Sequence, residues 1–99
     1  MYLSDYKINV LQNYFGSKPI KKAFLFGSYA TGKATEHSDI DLMLEIDYAQ
    51  QKVSMFDFFS WKQELESLNI GSIDLVASDG VSKFFKPQIE SEKKVLYER

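Results

Sequence analysis

Apolar residues recur along the chain with two different periods, and the switches between them mark the elements. Near the N-terminus, Ile8, Leu11 and Phe15 fall on one face of a helix that Ser4 can cap and Gly16 ends. Pro19 breaks this pattern, and KKAFLF (21–26) reads as a short buried strand bounded by Gly27. The stretch YATGKATEH (29–37) is polar and turn-rich, and its start can form one helical turn. SDIDLMLEI (38–46) alternates cleanly, with Ile40, Leu42, Leu44 and Ile46 on one face, which is the mark of a strand.

A third period change follows. Ser54 and Asp57 stand at capping-box spacing and open a helix over 54–68. Met55, Phe58, Leu65 and Leu68 form its expected core stripe. Phe56, Phe59 and Trp61 extend the apolar surface beyond what one helix of a small domain buries, which suggests contact with another chain. After the NIGS break, IDLVAS (73–78) is a strand and SDG a turn. A last helix is expected near 86–98, with Pro87 tolerated in its first turn. The order α-β-β-α-β-α describes a single α/β (α+β) domain over residues 1–99, a small sheet flanked by helices.

Composition narrows the class. With 44% hydrophobic residues, including eight Phe, six Tyr and one Trp, the 99-residue chain has enough apolar material for a real core. It has no cysteine, which excludes disulfides and thiolate metal sites. The start MYLSDYKINV lacks the layout of a signal peptide, and no run nears the ~18 apolar residues of a membrane span. A cytoplasmic protein with no membrane contact is therefore expected. The net charge of -2 gives no reason to expect direct nucleic-acid binding.

Two aspartates inside an apolar strand change the picture. On a strand, residues i and i+2 point to the same face, so Asp39 and Asp41 converge while Ile40 and Leu42 face the core. Carboxylates this close repel unless cations sit between them. Oxygen-only ligands suit Mg²⁺, and a pair of such ions can stabilise both oxygens of a phosphoryl or nucleotidyl transfer. Asp74 repeats the pattern in SIDLV, and if its strand pairs beside 38–46 it joins the cluster. It could then share a metal or accept the nucleophile's proton. Gly27 lets the backbone approach a ligand, and a helical turn opening at Ser28 would offer amides and a hydroxyl to phosphate. His37 and Lys33 read as loop residues, and Tyr97 as packing.

Gly27-Ser28, ten residues, then Asp39-Ile40-Asp41 resembles the GS-x10-D-x-D signature of the DNA polymerase β-like nucleotidyltransferase superfamily. Nearly the whole chain, from Gly27 and Gly32 to SIDLV and the terminal EKKVLYER, resembles the minimal nucleotidyltransferases of MNT or MntA type. The resemblance implies a mixed-sheet nucleotidyltransferase core that uses ATP and Mg²⁺, as a pair of ions, to transfer AMP. Many members are antitoxins paired with a HEPN-domain ribonuclease toxin, which they neutralise by adenylylating a tyrosine. Carried over, Gly27 and Ser28 hold the triphosphate, Asp39 and Asp41 bind metal, and Asp74 is the third metal-binding acid and general base. A protein partner supplying the acceptor is the expectation. The alternatives are a small-molecule nucleotidyltransferase with its acceptor site in a homo-oligomer interface, and a non-catalytic antitoxin acting by occlusion.

Overall fold

The computed structural model describes residues 1–81 and 84–99. Helix α1 (Asp5–Gly16) starts where Ser4 Oγ accepts a hydrogen bond from the Lys7 amide, and it buries Leu11 and Phe15. Strand β1 (Ile20–Phe26) ends at Gly27, whose φ of 73° turns the chain into a single helical turn, α2 (Ser28–Thr31). Strand β2 (Ile40–Ile46) returns antiparallel to β1.

Helix α3 (Met55–Glu66) opens on a complete capping box, in which the Ser54 amide donates to the Asp57 carboxylate at 2.8 Å. It crosses over to β3 (Ile73–Ala77), which lies parallel to β2. A 3₁₀ turn at Ser78–Gly80 precedes α4 (Lys86–Glu92), with Pro87 in its first turn as expected. The chain then closes with β4 (Lys94–Glu98), antiparallel to β1. The mixed sheet runs β3-β2-β1-β4.

Two expectations are corrected. The terminal helix near 86–98, EKKVLYER included, is half helix and half strand: it stops at Glu92, and 94–98 pair with β1 from Lys22 to Leu25. Tyr97 packs there against Phe15, with ring centroids 6.3 Å apart. The core stripe of α3 is also different. Trp61 and Leu65 are its buried residues, while Met55 is 88% exposed and Leu68 lies beyond the helix end. Phe58, at 5.3 Å from the Trp61 ring, completes the true line at i, i+3, i+7.

Side chains leave the sheet in two directions. Ala23, Leu25, Ile40, Leu42, Leu44, Ile46 and Ile73 face α1 and α3 and make the main core. Phe24, Met43 and Ile89 form a smaller cluster on the opposite face, with Phe26, Val76 and Val81 packed against it. That thinner face carries the candidate site.

Candidate active site

The strand register decides which acids meet. Asp41 sits opposite Asp74 in the parallel β2–β3 ladder, and opposite Phe26 in the antiparallel β1–β2 ladder. Both aspartates follow an inward apolar residue, Ile40 and Ile73, so alternation sends both to the thin face. Next to Phe26 comes Gly27, which approaches Asp41 so closely that a Cβ there would collide with Asp41 Oδ2. The glycine is needed twice, for its positive φ and for this contact. The turn that follows is held by bonds from the Ala30 and Thr31 amides to Gly27 O at 3.1 and 3.2 Å, with Tyr29 and Ala30 buried beneath it. Ser28 therefore stands at the head of a fixed turn, next in sequence to the glycine that meets Asp41, but outside the cleft lining.

These groups border a cleft of about 440 Å³. Its lining combines Gly27, Asp41, Asp74 and Glu92 with the apolar Phe26, Val76, Val81, Phe85 and Ile89, together with Gly80 and Gln88. The Asp41 carboxyl is pushed up to about 6, first by burial and then by the charges of Asp74, Asp39 and Glu92. Asp39 is exposed and immediately precedes β2, so it acts on Asp41 from outside the cleft lining. Among the described residues no group of three His, Cys, Asp or Glu side chains is arranged to hold a metal ion on its own.

Glu92 escaped the sequence reading. Its place in the cleft depends on how α4 packs over Phe24 and Met43, and nothing in QIESEK marks it. His37 and Lys33 are exposed loop residues, as expected, and the nearest acid to His37 is Glu36 at 3.6 Å.

Residues 8–99 match the family model described as "Polymerase beta, Nucleotidyltransferase". The chain belongs to the polymerase β nucleotidyltransferase family. A Methanocaldococcus jannaschii protein named "Putative protein adenylyltransferase MJ1379" is 34% identical over 74 residues, which cover 74% of this chain and 73% of that protein. A second from the same organism, "Putative protein adenylyltransferase MJ0435", is 32% identical over 73 residues, 74% of this chain and 75% of that one. A solved structure described as a toxin–antitoxin with AMP-PNP superposes with a TM-score of 0.79 at 22% identity, covering 93% of this chain and 73% of that one. Another, described as a tri-AMPylated Shewanella oneidensis HEPN toxin in complex with MNT antitoxin, gives 0.72 at 20% identity, covering 95% and 71%. At these identities the structural likeness establishes the nucleotidyltransferase fold. As a member of this family, the chain is a nucleotidyltransferase.

Proposed function

We propose that this nucleotidyltransferase transfers AMP from ATP, with Mg²⁺, to a hydroxyl of a protein partner, a HEPN-domain toxin whose tyrosine is the acceptor. One observation carries the reading: Asp41 and Asp74 face each other across a parallel ladder, against the turn at Gly27 and Ser28. The relatives named for adenylyl transfer and the fold neighbours in toxin–antitoxin complexes support the choice of AMP and of a protein acceptor.

The donor set fits a hard divalent cation. Asp41 and Asp74 offer only carboxylate oxygens, the Asp41 carboxyl is raised first by burial and then by the charges of Asp74, Asp39 and Glu92, and among the described residues no Lys or Arg lines the cleft. Two facing carboxylates suit Mg²⁺, which takes its remaining ligands from phosphate and water. Asp41 and Asp74 would hold it from the cleft wall, with Asp39 reaching it from the strand end, and its charge would offset the phosphate charge that otherwise keeps ATP from this acidic cleft. Ser28 and the backbone at Gly27 receive the triphosphate.

The residues then do three things. The turn at Gly27 fixes the α-phosphate near Asp41. The cleft's apolar lining, Val76 and Ile89 included, keeps water from competing with the acceptor. Asp74 accepts the proton as the acceptor oxygen bonds to the α-phosphorus. The bond from that phosphorus to its bridging oxygen breaks, and pyrophosphate leaves with the electron pair.

The test is to incubate the chain with ATP, Mg²⁺ and the protein encoded beside it, then weigh both proteins. An AMP adduct on a partner tyrosine, lost in Asp41→Ala, is the expected result. Neutralisation that persists in Asp41→Ala without an adduct replaces transfer with occlusion, and labelling of a small alcohol instead moves the acceptor class.

A further inference from the structure

The sheet ends in two unlike edges. The β4 edge carries Lys94 and Glu98, and Arg99 just beyond it is tied to Asp47 at 2.7 Å. Charges of this kind discourage another strand from adding. Among the described residues the β3 edge has no such device: it is IDLVA, and its one charge, Asp74, belongs to the cleft.

The register shows what the β3 edge offers. The Ile40 amide donates to Ser72 O at 2.8 Å, so the even-numbered residues of β3 turn their backbone groups toward β2. The odd-numbered ones face outward. Ile73 N–H, the first of these, is capped by the Glu66 carboxylate at 2.9 Å. Leu75 and Ala77 follow, and next to them runs an apolar groove formed with Val53, Met55 and Phe58. Val76 and Gly80 line both this groove and the carboxylate cleft, so the two depressions adjoin at the end of the strand.

We infer that the β3 edge and its groove are the docking site for the acceptor, an extended polypeptide segment that adds to the sheet beside β3. This rests on the protein-acceptor reading above. An open ladder edge selects an extended backbone over a helix or a small molecule. The side chains of an added strand alternate between the two faces of the sheet. A residue on the cleft face brings its hydroxyl toward Asp74, and the residues directly before and after it sink into the groove beside Met55 and Phe58. The segment is apolar at those flanking positions and poor in acidic residues, because Asp74, Asp79 and Glu92 surround its path.

Short synthetic peptides with one tyrosine test this, using MgATP labelled in the α-phosphate. Each peptide places two leucines either at odd or at even offsets from the tyrosine, in an otherwise identical Ser/Lys background. The odd-offset peptides are expected to be labelled about tenfold better in kcat/KM, the equivalent of one well-buried apolar contact. Met55→Glu, an exposed change at a helix start that tolerates acid, is expected to erase this preference while MgATP affinity by calorimetry stays the same. Equal labelling of both peptide sets, or a preference untouched by Met55→Glu, overturns the docking site and leaves the catalytic reading in place. Unlabelled peptides with normal MgATP binding overturn it too, since the acceptor must then be presented otherwise. Failure to bind MgATP at all removes the catalytic reading, and the docking site with it.

Discussion

The two faces of the sheet are built to opposite specifications. Beneath α1 and α3, alternate residues of three strands are wholly apolar, and Leu42, Leu44 and Leu65 have no exposed surface. On the other face the same strands present Phe24, Phe26, Met43 and Val76, but also Asp41 and Asp74, under a single short helix. One face holds the fold together, and the other holds acidic charge that no described Lys or Arg lining the cleft offsets. Stability and chemistry should therefore respond to different substitutions.

The largest separation is expected at Asp41. Asp41→Asn keeps the shape and removes the charge, and nucleotidyl transfer should fall by a factor on the order of 10³, or about 4 kcal/mol. Its melting temperature without metal, near neutral pH, should stay level or rise. A marked drop in melting temperature would mean that the acid is structural. On the opposite face, Leu44→Ala should cost about 2–5 kcal/mol of unfolding free energy, measured in urea, because a fully buried side chain leaves a cavity. Gly27→Ala lies between the two classes. It combines backbone strain with a clash against Asp41, so it should lose about 1–3 kcal/mol of stability and also weaken MgATP binding in calorimetry.

The smallest effect is a pH dependence. The folded Asp41 carboxyl titrates near 6, above its ordinary 3.8, so between these values the folded state holds the proton that the unfolded state has lost. Its contribution to stability is complete below about pH 4 and declines as the pH rises toward 6. The difference in melting temperature between the wild type and Asp41→Asn, scanned without metal, should follow this slope. A flat difference would show that the carboxyl is not held up. Added Mg²⁺ should raise the wild type alone above pH 6.

Strands whose alternation repeats over several residues were legible in the sequence, and β2 is the clearest case, with Ile40, Leu42, Leu44 and Ile46 in line. β4 was not, because only Leu96 of its five residues is buried and its partners in β1 lie 69 to 76 positions away, from Leu25 with Lys94 to Lys22 with Glu98. Lys93, Lys94 and Glu98 have good helix propensity and pointed to helix, against the strand preference of Val95 and Tyr97. In α3 the abundance of rings hid the line that matters. Phe58, Trp61 and Leu65 face the sheet, whereas Phe56 is 84% exposed. At the site, fixed spacing from the turn after β1 to the start of β2 made Gly27, Ser28, Asp39 and Asp41 stand out, and Asp74 followed from its repeat of the motif. Glu92 depends on the tilt of a helix, which no local pattern encodes.

The missing side chain at position 27 has a further consequence. The space that Asp41 Oδ2 occupies is the space that any larger residue at 27 would claim, so substitution at one position is constrained by the residue at the other. In a lineage where residue 41 has already shortened, alanine at 27 would meet only the twist of the backbone. Degenerate copies of this domain should therefore lose the glycine after the aspartate, and seldom before it.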